Sequence, residues 1–530
     1  MILQCDAGLF KCPAKRVHLY RLEHMITKST TTQLVRIVLF LSIVAVCYEL
    51  LAESNEELPA ASGTQSVPYT EKHSPLVDAA EAGDWSRVKD LVEQESINAV
   101  QPDGMSALHW AVFKNHLPMV KLLTSKNADV NLQTRYHITP LVIACENGFA
   151  EIAELLLQAE ANVNHELPGG ETPLMIASLA GNKSVVEQLI AHKAVVNTTE
   201  RRGQTAMMWA AAKGNVDAVD ALLSAGADLN TTTKTGFTAM FFAARNGHLN
   251  VVKQLAEAGV DINLAMQPSS SGGRSPRKGT SALMLAVESG HYELAMWLIQ
   301  HGANPNDQRS GHTPLHALSW IRKPNRGEGV DGDPSPRGSG NLTDLQFVKA
   351  IVAAGADVNL QLKNGKSGKA VLGHKGATPF LLASKTADLP LLELLLVLGA
   401  DPLIPNSEGC TPLMACAGIG VRAVGEEAGT EPEVINTLEF LIKHGADVNT
   451  VDDNRETAMH GAAYRCFPEV VNFLTDQGAD AAVWDHKNKS GWTPALIAQG
   501  HRPGSFKPSP ETVSALQKAM LKSSKSDASQ

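Results

Sequence analysis

A short unit of apolar and polar stretches recurs along most of the chain. In the copy from Gly203 to Asn230, an apolar segment, Ala206 to Ala212, is followed by the break Gly214-Asn215 and by a second segment, Val216 to Ser224. In the second segment, apolar residues recur at the spacing of one α-helix face. Thr205 stands directly before the first segment, where a hydroxyl can cap a helix. The pattern therefore predicts two short helices per unit.

The spacing between copies predicts how the units assemble. The asparagine that closes the unit recurs every 33 residues, at Asn131, Asn164, Asn197, Asn230 and Asn263. A fixed period of this size is typical of a solenoid. One unit cannot bury the apolar faces of both its helices, so the units must stack to form a shared core.

Short motifs within the unit resemble the ankyrin-repeat signature. They are T-P-L-H at Thr313–His316, T-A-M-H at Thr457–His460, and G-A-D-V-N at Gly355–Asn359 and Gly445–Asn449. The resemblance extends from about Ser74 to Leu521. It implies an all-α repeat, an ankyrin solenoid of roughly 11–12 helix-turn-helix units joined by β-hairpin-like loops.

The repeat is regular as far as Asn263 and is interrupted four times after it. The insertions, all in the C-terminal half, are 266–278, 323–341, 363–375 and 418–432. An insertion that entered the shared core would break the stack, so we expect all four to project from the array. Two interpretations stay open: loop growth at tolerant surface sites, and a rim that contacts a specific partner.

The N-terminal residues lack the repeat. We interpret 1–52 as a targeting region with an apolar core at 37–48, and 53–73, rich in Ser, Glu and Pro, as a flexible linker. The array is expected over 74–521, followed by a polar tail at 522–530.

The targeting region resembles a secretory signal peptide. Its apolar core follows a basic lead with Lys28 and Arg36, and it is shorter than the about 20 residues of a membrane-spanning helix. We therefore expect a bacterial protein that is exported to the periplasm or the cell surface. Two alternatives stay open: an uncleaved anchor, with 37–48 in the inner membrane, and an upstream extension without a targeting role.

Composition excludes several other classes of protein. A net charge of −9 provides no global basic footprint for nucleic acid. Seven cysteines in a chain of 530 residues do not form a disulfide framework. A hydrophobic content of 44% with only 5% aromatic residues fits a core of Leu, Ala and Val.

Motifs for catalysis or cofactor binding are incomplete. The Gly365-Lys366-Ser367 triplet resembles the end of a phosphate-binding loop, but Leu360 stands where that loop needs glycine. A calcium-loop opening at Asp331 lacks the closing glutamate, because its twelfth position is Leu342. We therefore expect no catalytic residue, cofactor or metal site.

Three histidines occupy the fourth position of the T-P-L-H motif: His109, His316 and His460. The resemblance implies that they tie adjacent loops together by hydrogen bonds. We expect this structural role rather than acid–base catalysis.

The resemblance also implies where a partner binds. Ankyrin arrays use a concave face formed by the loop tips and the exposed side of the first helices. Carried over by register, the candidate contact residues are Phe113, Tyr136, Arg201, Arg202, Lys213, Lys234, Arg245, Arg277, Lys278, Arg309, Trp320 and Tyr464. Most of them are basic, which favours an acidic protein partner. The alternative, that Lys and Arg solvate a loop-rich face, stays open.

Together these features predict a monomeric, non-enzymatic scaffold for protein–protein interaction, exported or tethered to a membrane. Two other functions stay open. One is a secreted effector that acts in another cell, and the other is an enzyme with its site in the inserted loops 323–341 and 363–375.

Overall fold

A computed structural model describes residues 74–269, 277–324, 335–365, 372–422, 424–425, 427–501 and 508–527. The predicted targeting region and linker, and with them the apolar core at 37–48, lie outside the described residues. No helix within the described ranges combines the length and the apolar character needed to cross a membrane.

The described ranges contain 25 helices and no β-strand, only two isolated bridges. In chain order the helices are α1 Pro75–Ala82, α2 Trp85–Leu91, α3 Ala107–Phe113, α4 Leu117–Ser125, α5 Pro140–Asn147, α6 Ala150–Gln158, α7 Pro173–Ala180, α8 Lys183–Ala191, α9 Ala206–Lys213, α10 Val216–Ser224, α11 Ala239–Arg245, α12 Leu249–Glu257, α13 Ala282–Glu288, α14 Tyr292–Gln300, α15 Pro314–Arg322, α16 Asp344–Ala353, α17 Pro379–Lys385, α18 Leu389–Val397, α19 Pro412–Ala417, α20 Glu431–Lys443, α21 Ala458–Arg465, α22 Pro468–Asp476, α23 Ala481–Trp484, α24 Pro494–Ala498 and α25 Pro510–Asp527.

These helices form the repeated pair that the sequence predicts. Helices α1 to α22 make eleven consecutive pairs, here units 1 to 11, and α24 with α25 makes unit 12. The first helices of neighbouring units pack on one another, and so do most second helices. Their buried side chains form one apolar cluster that runs from Leu76 to Ala519. The prediction of an all-α repeat with roughly 11–12 units is therefore confirmed.

Capping residues at each end determine where a helix starts and stops. In unit 5, the Thr205 hydroxyl accepts a hydrogen bond from the Met208 amide and caps α9. Gly214 ends the same helix at φ 77°, a left-handed conformation that a Cβ atom disfavours.

The loops between units resemble hairpins that bond to one another. In the unit 5 loop the Glu200 amide donates to the Gln204 carbonyl at 3.0 Å. The Arg201 amide then donates to Gly169 of the preceding loop at 2.9 Å. These bonds satisfy backbone groups that the turns would otherwise leave unpaired.

The recurring asparagine is explained by its side-chain amide, which in seven units forms a hydrogen bond to the following unit. Asn359 donates from Nδ2 to the Gly399 carbonyl at 3.0 Å and accepts at Oδ1 from the Asp401 amide at 2.8 Å. The donor bond to the following unit recurs at Asn131, Asn164, Asn197, Asn263, Asn306 and Asn449. In unit 9 this position is Leu403, whose side chain has no amide group and cannot form the bond.

The expectation that all four insertions project from the array is wrong for two of them. Residues 335–341 of the unit 8 insertion fold back on unit 7. There the Ser339 amide donates to His291 Nδ1 at 2.8 Å, and the Asn341 amide donates to Glu293 at 2.7 Å. Its Gly and Ser residues allow backbone to lie close to backbone, so these bonds are available to it.

The second correction concerns the unit 10 insertion. Its first residues, Gly418 to Arg422, turn back towards the unit 9 loop, and Gly420 lies directly against the backbone of Leu372. Leu372, Ile419 and Val421 are all buried. Apolar side chains at these positions favour packing over projection into water.

Candidate binding surface

The predicted contact residues lie on the loop tips and the exposed side of the first helices, a surface called here the first-helix face. The first helices pack on one another, and most of them begin at a Ser or Thr hydroxyl that caps the helix, so the last turn of each has a fixed position. The structure places eleven of the twelve residues at accessible positions and buries one.

Basic residues dominate the centre of this face. Arg201, Lys213, Lys234, Arg277 and Lys278 are exposed, and Arg202 is half-buried. Among the described residues, the structure records no ion pair within 4.0 Å for any of these six. Arg201 donates from Nη2 to the Pro168 carbonyl at 2.8 Å, which orients its guanidinium without cancelling its charge.

Two further arginines have different surroundings. The Arg245 guanidinium lies over the Phe237 and Phe242 rings, 5.0 and 5.6 Å from their centroids. Such stacking holds the planar group in place. Arg309 instead pairs with Asp307 at 2.8 Å, so its charge is largely cancelled within its own loop.

Aromatic residues flank the basic centre. Phe113 is 42% exposed and Tyr136 is 63% exposed. Trp320 is half-buried and meets the His312 ring edge-on, with 4.8 Å between centroids. Aromatic and arginine side chains are the usual hot spots of protein interfaces.

Tyr464 is not available for contact, which corrects the prediction. It is fully buried, and its hydroxyl donates to Glu456 at 2.7 Å. Asn488 of the next loop donates to the same carboxylate at 2.8 Å. The tyrosine therefore lies beneath a polar network between units 11 and 12, because buried polar groups require partners.

One set of contact candidates was missed by the sequence analysis. The residue directly after the T-P-L-H position is bulky and apolar in six consecutive units: Trp110, Ile143, Ile176, Trp209, Phe242 and Leu285. Three of them, Trp110, Ile176 and Trp209, are half-buried and are therefore contact candidates on the first-helix face, whereas the other three are buried. The signal that could have revealed these residues is the repetition of large apolar side chains directly after the motif.

The three motif histidines have the structural role that was predicted for them. His316 Nδ1 lies 2.7 Å from the Thr313 hydroxyl, and Nε2 lies 3.1 Å from the Ala377 carbonyl of the next loop. His109 and His460 make equivalent contacts. Burial lowers the pKa to about 4 for His109 and His316 and to about 3 for His460, so all three are neutral.

Two carboxyl groups in and beside the polar network around Tyr464 have raised pKa values. Asp452 is 5% exposed, and burial raises its pKa to about 7. Burial also raises the pKa of Glu456. Across the described part of the chain, no group of three or more His, Cys, Asp or Glu side chains has an arrangement able to hold a metal ion.

Two half-buried cations near the insertions bind carboxylate and backbone oxygens of neighbouring units. Arg322 pairs with Asp344 and, at 2.7 Å, with Asp388. Lys323 pairs with Glu433 at 2.7 Å and donates to the Ala387 carbonyl at 3.0 Å. These ion pairs connect units 8, 9 and 10. We therefore interpret Arg322 and Lys323 as residues that stabilise the stack.

Comparison with known proteins places these features in a family. Models of ankyrin repeats match residues 44–134, 129–200, 174–266, 267–320, 408–453 and 432–475, together more than half of the chain.

Individual relatives share only part of their length with this chain. It is 35% identical to protein phosphatase 1 regulatory subunit 27 of Mus musculus over 80 residues, which are 15% of this chain and 52% of that protein. It is 30% identical to the B-cell lymphoma 3 protein homolog of Mus musculus over 222 residues, which are 42% of this chain and 40% of that protein. The chain thus spans about half, or less, of the length of these relatives.

Among solved structures, the human ASB11 ankyrin repeat domain is similar, with 19% identity and a TM-score of 0.39. The match covers 50% of this chain and 100% of that domain.

Proposed function

Because this chain belongs to the ankyrin-repeat family, we propose that it is a non-enzymatic scaffold that binds an acidic protein partner on the first-helix face of units 2 to 8. The single observation that carries the proposal is the group of six basic residues on this face without a recorded ion pair among the described residues. On a protein with a net charge of −9, such a group provides a local positive potential. Opposite charge on a partner would speed the encounter and fix its orientation.

Three half-buried tryptophans support the same surface. Trp110, Trp209 and Trp320 each leave part of a large ring accessible beside the basic side chains. Burying such rings supplies most of the binding free energy, while the surrounding charges mainly supply specificity.

The surface ends before unit 10 in this proposal. There the residues Gly418 to Arg422 lie against Leu372, and in unit 11 the side chains of Tyr464 and Arg465 are buried. A partner on units 2 to 8 would contact exposed side chains without displacing these segments.

The test is a cross-linked capture from the native source with three forms of the full-length protein. They are the wild type, the face variant Arg202→Ala with Arg245→Ala, and a matched control, Lys121→Ala with Lys349→Ala, which removes two exposed lysines from second helices. We expect one protein to be captured by the wild type and the control and reduced at least tenfold by the face variant. We also expect capture to weaken as salt rises, because salt screens exposed charges. Equal capture by the face variant would exclude this surface.

We further propose that the protein is exported or membrane-tethered, in the periplasm or at the cell surface. The support is the basic lead and the apolar core at 37–48. Fractionation with N-terminal sequencing tests it. A mature N-terminus near Glu53 would support a cleaved signal peptide, an intact N-terminus in the membrane would support an anchor, and a full-length cytosolic chain would contradict both.

A further inference from the structure

A short segment of the unit 8 insertion crosses to unit 7 and is bound at both ends. This segment, residues 335–341, is called here the strap. At one end the Ser335 hydroxyl donates to the carbonyl of Arg322, the last residue of α15, at 3.2 Å. Towards the other end the Ser339 amide donates to His291 Nδ1 at 2.8 Å. The strap therefore connects the last turn of one first helix to the preceding unit.

Glycine allows the strap to lie close to unit 7. A Cβ atom at Gly338 would collide with the carbonyl of Gly290, so a larger residue would push the strap away. Beyond this point the Asn341 amide donates to Glu293 at 2.7 Å. These contacts are made by the backbone of the strap, so they can separate without opening the apolar cluster of the array.

His291 can bind the strap only while its imidazole is neutral. Nε2 lies 3.0 Å from the Arg245 carbonyl, which can only accept, so Nε2 carries the proton. Nδ1 receives the Ser339 amide, which can only donate, so Nδ1 carries none. A protonated imidazole would direct a second N–H at that amide, and the bond to the strap would be lost.

The strap covers a position that the preceding units leave accessible. The residue eight positions after the first-helix cap is exposed or half-buried in units 2 to 7: Lys114, Asn147, Ala180, Lys213, Asn246 and Ser289. In unit 8 this residue is Ile321, which is 5% exposed. It lines a cavity of about 310 Å³ together with Pro336 and Gly338 of the strap. The strap therefore shields an apolar side chain that adjoins Trp320 on the first-helix face.

We propose that residues 335–341 are a pH-sensitive strap: neutral His291 holds it over the last turn of α15, and protonation of His291 releases it and uncovers Ile321. Release would add an apolar side chain to the edge of the first-helix face beside Trp320. Only this consequence for binding rests on the proposed scaffold function, because the strap and its release belong to the chain itself.

The direction of the pH effect follows from burial. His291 is 8% exposed, and burial lowers its pKa below the ordinary 6.5, while the bond to the Arg245 carbonyl raises it and nearby His248 lowers it. In the released form the imidazole meets water, and its pKa returns towards 6.5. The released form therefore binds protons more tightly. Below pH 6.5, acid favours release by up to about tenfold per pH unit.

Other charged or titratable groups surround His291, and one of them supplies a control. They are Arg245 and His248 of unit 6, Glu293 in its own helix, Arg337 in the strap, and Arg322 and Asp344 across the cavity. His248 holds the same place in unit 6 as His291 in unit 7. Each stands directly before the second helix, and each has Nε2 within 3.0 Å of a carbonyl of the preceding unit. His248 therefore provides a matched control.

Hydrogen exchange of the Ser339 and Asn341 amides in the full-length protein measures how firmly the strap is held, after correction for the intrinsic effect of pH on exchange. We expect their protection to fall by about threefold or more between pH 7 and pH 5. His291→Asn should keep the protection at pH 5, because an asparagine amide can donate and accept without titrating. Asn182 and Asn215 already hold this position in units 4 and 5 and donate to carbonyls of the preceding unit.

The control His248→Asn should show the same pH dependence as the wild type. Three results would overturn the strap. One is an unchanged fall of protection in His291→Asn, and another is its equal loss in His248→Asn. The third is a wild type whose strap amides exchange at pH 7 as fast as those of an unfolded chain.

Gly338→Val tests the covering of Ile321 by a second route, because the added side chain should push the strap away at pH 7. Hydroxyl-radical labelling of Ile321 measures its exposure. We expect the variant at pH 7 to reach the labelling that the wild type shows at pH 5. Ile351, fully buried in α16, should stay unlabelled, and its labelling would reveal unfolding. Wild-type labelling of Ile321 that does not rise while the strap amides lose protection would overturn the covering role.

These measurements need no partner, which separates the strap from the scaffold function. A strap that fails them leaves the proposed binding surface standing. If Arg202→Ala with Arg245→Ala retains the captured protein, the binding surface fails, and the exchange results still decide the strap.

Discussion

Lys213 in unit 5 and Arg465 in unit 11 occupy the same position of the repeat, yet they have opposite environments. Each is the last residue of its first helix, eight residues after the capping threonine. Lys213 is exposed on the first-helix face. Arg465 is 3% exposed and donates to the carbonyl oxygens of Ala428, Gly429 and Lys385.

The difference shows how insertions change the use of a repeated surface. In the regular units 2 to 6 the last turn of each first helix meets solvent. In units 9 to 11 the chain's own inserted segments cover that turn, and a basic residue becomes a bond between units. A position in the repeat therefore specifies a place in the stack, while its neighbours decide its exposure.

The strongest test of this comparison substitutes both residues in the same way. We expect Arg465→Met to destabilise units 9 to 11 by about 3 kcal/mol, because it removes a buried charged donor from three carbonyl groups. Lys213→Met should stay within about 0.5 kcal/mol, as is usual at exposed sites. Native-state hydrogen exchange resolves the two regions, since a long array need not unfold in one step. Similar losses in both variants would contradict the comparison.

A pH titration gives the next largest effect. His316 has a pKa of about 4 in the folded protein against 6.5 for the free side chain. Between these values the unfolded chain binds more protons, so unit 8 loses stability as pH falls from 6.5 towards 4. The expected loss is about 2 kcal/mol at pH 5. Units 3 to 6 carry no histidine at this position but Val142, Met175, Met208 and Phe241, so they should keep their exchange protection over this range.

Unit 11 should respond less than unit 8, although it contains His460. Asp452 has a pKa of about 7 when folded against 3.8 when free, so the folded carboxyl binds its proton first. That contribution stabilises the unit as pH falls from 7 towards 3.8 and offsets the loss at His460. Hydrogen exchange at pH 7 and pH 5 measures both units, and His316→Met should remove the acid sensitivity of unit 8. An equal loss in units 8 and 11 would contradict the offset.

The asparagine bonds provide a smaller test. We expect Asn359→Leu to weaken the contact between units 8 and 9 by about 1 kcal/mol, because it removes one donor and one acceptor that join them. Exchange of the Asp401 amide is the measurement. Unchanged protection there would show that these exposed bonds do not stabilise the stack.

The reverse substitution should give the smallest effect. Leu403→Asn introduces the missing amide between units 9 and 10 and is expected to stabilise that contact by about 0.5 kcal/mol. The unfolding midpoint in urea should rise slightly, with Val397→Asn as a control that adds the same amide at an exposed helix position. An equal rise in the control would assign the effect to surface polarity rather than to the bond.

Much of the fold follows from the sequence because the repeat signal is local. Thr205 marks the start of a first helix and Gly214 marks its end, and equivalent residues do so in other units. These signals act within a few residues, so the helices of one unit can be predicted without its neighbours. The histidines were predictable for a similar reason, since His316 bonds to its own cap and to the next loop in register. The exposure of Arg202 and Trp320 also follows from register.

The burial of Tyr464 and the packing of the insertions could not be predicted from the sequence, because both depend on contacts between distant segments. Tyr464 is buried beneath groups from two loops, one of them in the following unit. Gly420 meets Leu372 although 47 residues separate them in the chain. Neither contact has a period, so no repeat pattern can reveal it.

By itself, then, the sequence determined the helix pair, the number of stacked units and the register of the loops. These depend on caps, turns and apolar spacing, which act over short distances along the chain. Only the tertiary structure decided which inserted residues fold back on the array, which equivalent positions are buried, and which basic side chains keep their charge available. Those outcomes depend on long-range packing and on the pairing of charges across units.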